Sequence, residues 1–215
     1  MVEYEAVDQV SRTVSEKDIQ IRAARPQDAL HIARLVLVSA PVFLPAVFGP
    51  GIQRAVQEMA AQHGTLFSHR HAWIAEEDAE VRGMLLGYPG AVKASEDPRT
   101  GLVLLGHLRA EMVRRLPTLL RMQSAIGHVG TDELYVSNLA VYPGSQGKGI
   151  GSLLVGRAFR EAQRAGISSL VLDVETDNPD AQRLYERLGF RVMSRTPELV
   201  IRGHAFCFFR MRLPM

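Results

Sequence analysis

Ile19, Ile21 and Ala23 alternate with polar residues, which is the period of a half-buried strand. Pro26 and Asp28 then open a run with helical spacing that extends to about Val38. Pro41, Pro45, Gly49, Pro50 and Gly51 break the chain around an apolar set, Val42, Phe43, Leu44, Val47 and Phe48, which reads as an exposed loop. A second helical run continues to about Gln62. Residues 71–76 and 81–88 pattern as a hairpin joined by a polar turn at 77–80. From about Leu102 to Met122, helical spacing returns at Leu105, Leu108, Met112, Leu116 and Leu119, and Pro117 should kink or divide that helix. Strand and helix patterns then alternate, with strands at 134–141 and 169–174 and helices at 149–165 and 179–188. Strands at 190–194 and 204–211 end the chain. Residues 1–17 are polar and mixed in charge, and read as a flexible leader or an added strand.

The junction between the strand at 134–141 and the helix at 149–165 carries the chemistry. It reads Gln146-Gly147-Lys148-Gly149-Ile150-Gly151-Ser152. A glycine-rich turn at a helix start points backbone N–H groups outward, and the positive end of the helix dipole adds to them. Glycine at 147, 149 and 151 allows close backbone approach and positive φ. Such a turn suits a pyrophosphate. The dinucleotide fingerprint requires G-x-G-x-x-G, whereas this run reads G-x-G-x-G. The Walker loop requires Ser or Thr after its lysine, whereas Gly149 follows Lys148.

Gln146, Gly149 and Gly151 occupy the three fixed places of the pattern Gln/Arg-x-x-Gly-x-Gly/Ala. Downstream, Asn178, Ala181, Leu184, Tyr185, Gly189 and Phe190 fit N-x-x-A-x-x-L-Y-x-x-x-G-F. Together, in this order, the two signatures resemble those of the GNAT superfamily of N-acetyltransferases. The resemblance covers roughly residues 19–213 in order of elements. It implies a mixed, mostly antiparallel seven-stranded α/β (α+β) sheet with helices on both faces and splayed strands 4 and 5. The acetyltransferase domain would span 18–215. The chain departs from the family at about 91–131, where a helical segment replaces a short turn between strands 3 and 4.

The resemblance also implies roles. Acetyl-CoA would be the co-substrate, with its pantetheine arm paired to the backbone of Leu139, Ala140 and Val141 and its pyrophosphate on the amides of 146–152. Asn178 would cap its helix and touch the cofactor arm, and Arg183 would lie beside the cofactor. Tyr185 would be the general acid for the leaving thiolate. Glu133, eight residues before Val141, matches a glutamate that acts as base in several peptide acetyltransferases. Tyr135 and Ser137 share its strand parity and would line the acceptor pocket, with Asp132 a weaker candidate base.

Composition narrows the field further. A chain of 215 residues fits one domain with a real core. A net charge of +2 does not support a general nucleic-acid binder, although Lys148, Arg157, Arg183 and Arg187 would form a local positive field near a polyphosphate. The lone Cys207 excludes an internal disulfide, and its alternating surroundings suggest a buried structural thiol. His69 and His71 lack partners at metal-ligand spacing, so no metal is expected. No apolar run reaches membrane-spanning length and no signal pattern opens the chain, which makes a cytoplasmic protein the default. The expected activity is acetyl transfer to a primary amine, on a small molecule or a peptide. A CoA-binding sensor with little turnover is the alternative. The segment at 91–131 would cap the acceptor pocket or form a subunit interface, and a homodimer is a further expectation.

Overall fold

The computed structural model describes residues 19–108 and 126–215. The chain runs through β1 (Gln20–Ala23), α1 (Ala29–Ser39), α2 (Phe43–Phe48) and α3 (Ile52–Ala60). A hairpin of β2 (Ala72–Glu77) and β3 (Glu80–Pro89) leads into α4 (Gly90–Leu108). Then come β4 (Glu133–Val141), α5 (Ile150–Arg164), β5 (Ser169–Glu175) and α6 (Pro179–Arg187). The last strands are β6 (Arg191–Arg195), β7 (Leu199–Ile201), β8 (His204–Phe206) and β9 (Phe208–Pro214). The leader expected at 1–17 lies outside the described residues, as do Met112, Leu116, Pro117 and Leu119 of the expected helix.

Seven strands form one sheet in the order β1-β2-β3-β4-β5-β9-β6, with β7 and β8 paired separately. Helices cover both faces, and β3 shows how the sequence achieves this. Met84 and Leu86 pack with Ile32, Val56 and Met59 of α1 and α3. Leu85, between them, packs with Leu154 and Phe159 of α5 and Met211 of β9. Successive side chains thus enter opposite cores, so the strand is apolar without interruption.

Among the described residues, only β4 and β5 pair in parallel. Their ladder contains Glu133↔Ser169, Leu134↔Leu170 and Tyr135↔Val171 and goes no further. Both strands nonetheless continue, to Val141 and Glu175. On its other side, β4 skips register between Leu86↔Asn138 and Gly87↔Val136, which makes Ser137 the extra residue of a bulge.

Three expectations change. The apolar set at 42–48 is a helix, and Phe43, Leu44, Val47 and Phe48 are buried. Pro45 sits in its first turn, where a missing N–H costs little, and Gly49 at φ 84° ends it. The segment after β3 turns helical at Gly90, well before Leu102, and carries Pro98 inside. Its polar stretch hides the helical period, but Thr100 Oγ1 donates to the Glu96 carbonyl and accepts from the Leu66 amide, fixing the helix to the loop before β2. The strand expected at 204–211 is split at Cys207, because Arg202 and Gly203 both take positive φ and fold β7 and β8 into a tight hairpin. Cys207 is accordingly half-buried, and its thiol donates to the Thr196 carbonyl.

Candidate active site

Gly149 stands at the N-cap of α5 with φ 76°, and Gly147 has φ 78°. Both occupy left-handed backbone that a side chain would strain. Gly151 is required for a different reason. It lies within the helix, and a Cβ there would come 3.1 Å from Leu184 Cδ2 of α6. The amides of Ile150, Gly151 and Ser152 have no acceptor within the helix, because the first intrahelical bond runs from Leu153 N to Gly149 O. They face outward at the positive end of a helix dipole. Gln146 folds back and donates from Nε2 to the Val141 carbonyl. The expected positive field is largely paired off. Lys148 lies 3.6 Å from Glu77, Arg157 pairs with Glu161, and Arg183 with Asp180.

Strand β4 turns its polar backbone toward the gap at alternate residues. The Tyr142 amide donates to Arg82 O of β3, so Ala140, two residues earlier, also faces β3. The N–H groups of Leu139 and Val141 therefore face away from β3, where the β5 ladder has already ended. Of the three residues expected to hold an extended arm, the backbone of Leu139 and the N–H of Val141 are available, whereas the Val141 carbonyl accepts from Gln146 and the backbone of Ala140 is used by the sheet.

A cavity of about 420 Å³ opens at this place. Leu139, Asn178, Ala181 and Tyr185 line one end. Asn178 caps α6, its Oδ1 accepting from the Ala181 amide at 3.1 Å. Tyr185 is buried with its ring edge toward Phe190, and burial pushes its phenol above the ordinary value. It stays protonated throughout the physiological range. Helices α1, α2 and α4 contribute the opposite wall, through Ser39, Phe43, Phe48, Lys93, Asp97 and Leu104.

Asp173, absent from the sequence reading, is a buried carboxylate on the cavity wall. Its side chain is only 4% exposed, on β5 just past the end of the ladder. Its Oδ2 accepts from Gly127 N at 2.8 Å, Tyr135 Oη at 3.0 Å and Arg210 Nη1 at 3.0 Å. Arg210 also lies over the Tyr135 ring. Burial, and next the Asp173 charge, hold the Tyr135 phenol well above its usual value, so it remains a donor. An acid on an alternating strand looks like an ordinary outward-facing charge in sequence, and only the three convergent donors reveal it.

Other candidate residues lie elsewhere. Glu133, half-buried at the start of β4, accepts from the Gly130 amide and sits 3.9 Å from Arg210 and 3.7 Å from Arg212. It is not part of the cavity wall. Asp132 is occupied by Ser168, whose hydroxyl holds its carboxyl below the usual range. His69 is buried with Nδ1 2.8 Å from the Ala60 carbonyl. His71 Nε2 instead meets Glu96 of α4 at 2.8 Å, so the H-x-H pair diverges. No cluster of three or more His, Cys, Asp or Glu among the described residues is arranged to hold a metal.

A profile of the Acetyltransferase (GNAT) family matches residues 48–190. The chain is 31% identical over 118 residues to the L-methionine sulfoximine/L-methionine sulfone acetyltransferase of Salmonella typhimurium, covering 55% of this chain and 59% of that one. It is 39% identical over 66 residues to the ribosomal protein bS18-alanine N-acetyltransferase of Escherichia coli, covering 31% of this chain and 45% of that one. The matches thus span less than two thirds of either curated relative. The N-acetyltransferase from Staphylococcus aureus Mu50 superposes with a TM-score of 0.68 over 90% of this chain and all of that one, at 18% identity, which shows a common fold. With the glycine turn, the short parallel ladder of β4 and β5 and this profile in agreement, the protein belongs to the GNAT acetyltransferase family.

Proposed function

We propose that the protein transfers an acetyl group from acetyl-CoA to a primary amine, by direct attack within a ternary complex. The observation that carries this reading is the cavity itself, which joins the gap beside Leu139 to a buried carboxylate, Asp173, and a buried phenol, Tyr185. The amides of 150–152 and the left-handed glycines would hold the pyrophosphate, and the backbone of Leu139 and Val141 the pantetheine arm. The Leu139 N–H would polarise the thioester carbonyl.

The amine must be neutral when it attacks. Asp173 is the acceptor-side group this reading prefers over Glu133, since Asp173 lies on the wall and Glu133 does not. Its Oδ2 is fixed by three donors, which sets the carboxylate plane, orients an ammonium approaching Oδ1, and would let Oδ1 take one of its protons and pass it to solvent, leaving the amine neutral. Addition makes the nitrogen cationic and therefore acidic, and collapse expels the thiolate. Tyr185, a neutral phenol, would give its proton to that sulfur as the C–S bond breaks, and the proton lost by the cationic nitrogen would restore the phenol. Cys207 lies outside the cavity wall, which supports direct transfer over an acetyl-cysteine route. The relatives are named for a small molecule in one case and a ribosomal protein in the other, and the aromatic wall of the cavity, with Phe43, Phe48 and Phe208, favours the small molecule here.

Titration calorimetry with acetyl-CoA, followed by thiol release with a panel of amines and peptides, tests the reading. Micromolar binding and acceptor-dependent release are expected. Binding without release from any acceptor would favour a CoA-responsive sensor, and absence of binding would sink the assignment.

A further inference from the structure

The cavity wall has two characters. One part is aromatic and aliphatic, built from Phe43, Phe48, Phe67, Leu104 and Phe208. Phe43 meets Phe208 edge to face at 5.1 Å, so this wall is packed and fixed in shape. The polar part is acidic. Asp97, Asp173 and Glu175 line it, and Lys93 is the basic side chain on the wall among the described residues. Lys93 Nζ is already engaged, 2.7 Å from Asp97 Oδ2 one turn along α4. Arg210 is turned to Asp173 and the His128 carbonyl. Burial, then Asp177, raises the Glu175 carboxyl, so this end already resists one more negative charge.

Resting on the acetyl-transfer reading, we infer that the acceptor is a small primary amine with an apolar body and no carboxylate, and that the Lys93–Asp97 pair enforces the second condition. An arylalkyl or alkyl amine meets every part of the wall. Its cation faces Asp173 and Asp97, and its body fills the aromatic part. A free amino acid of the same size brings a carboxylate into a pocket where Lys93 and Arg210 are already paired with Asp97 and Asp173, and where Glu175 adds a further acid. That charge would be desolvated without a free cation on the wall among the described residues, which is a rejection of the kind that separates substrates by large factors.

The test uses a matched set of probes on the full chain loaded with CoA or acetyl-CoA. These are 2-phenylethylamine, phenylalaninamide and phenylalanine. Affinity is read by calorimetry with CoA bound, and kcat/KM by thiol release from acetyl-CoA. The amine and the amide should both exceed phenylalanine by about 100-fold. The amide is decisive, because it keeps the bulk of the amino acid and lacks its charge. Asp97→Asn should free Lys93 and cut the preference for phenylalaninamide over phenylalanine by about 10-fold. Lys93→Gln, at the same half-exposed rim, should widen it. Phenylalanine binding as well as the amine, phenylalaninamide rejected like phenylalanine, or no probe binding at all would each overturn the inference. So would a preference unmoved by both variants. Selective binding of the amine without thiol release would uphold the pocket assignment and overturn acetyl transfer instead.

Discussion

At the scale of single residues, the site separates groups that react from groups that hold. Tyr185→Phe should lower kcat by about 10- to 100-fold while acetyl-CoA affinity is nearly unchanged, because in the proposed mechanism the phenol would act only on the departing sulfur. Stopped-turnover assays beside calorimetry check the split, and an unchanged kcat would remove Tyr185 from that role. Far from the cavity, Arg22 is gripped by Asp28 at 2.7 and 2.9 Å and by Glu76 at 2.8 Å. Burial would raise the Asp28 carboxyl, but Arg22 and the Arg25 amide outweigh it and the net shift is downward. A depressed carboxyl stabilises the fold fully above its unfolded value near pH ~4 and loses that contribution as pH falls through the folded value. Because Arg22 keeps its pair with Glu76, Asp28→Asn should cost about 1.5 kcal/mol at pH 7, and the deficit relative to the parent should shrink in acid unfolding curves. Sequence made Tyr185 and Asn178 legible because each sits in a spaced signature. Asp173 was illegible because its meaning comes from Tyr135, Arg210 and Gly127, which are distant in sequence.

Among elements, the glycine turn and α5 are the most exacting. Gly149→Val should weaken acetyl-CoA binding by at least about 10-fold, since a β-branched residue at φ 76° distorts the turn. Gly151→Val should instead lower thermal stability, because its side chain meets Leu184. Calorimetry and thermal melts distinguish the two, and identical effects would mean that the turn is a single rigid unit. The alternation of β3, the apolar run of β4 and the period of α5 were all readable, since each obeys one local rule. Helix α2 and the start of α4 were not. The prolines and glycines around Phe43 resemble a loop until Phe206 and Phe208, more than 150 positions on, supply its packing surface. Helix α4 is held by Thr100 to the Leu66 amide, by His71 to Glu96 and by His107 to Glu58, all contacts invisible to periodicity.

For the whole molecule, the decisive feature is how little joins β4 to β5. Three residue pairs connect a half-sheet of β1 to β4 with one of β5, β9 and β6. A ligand lying along the unpaired stretch would bind both halves, so acetyl-CoA at 100 times its Kd should raise the unfolding free energy by about 2.7 kcal/mol, seen as a higher Tm. The same short seam has a consequence for the empty protein. Past Tyr135, β4 presents strand backbone away from β3 with no neighbouring strand among the described residues, which is chemically a sheet edge within the fold. Such an edge accepts any extended segment, including one from another copy that is partly unfolded. The coenzyme would thus act as an occupant that keeps foreign strands out. Heated without it, the protein should scatter light earlier and more strongly than when saturated with CoA, at temperatures where both forms retain the same helix signal.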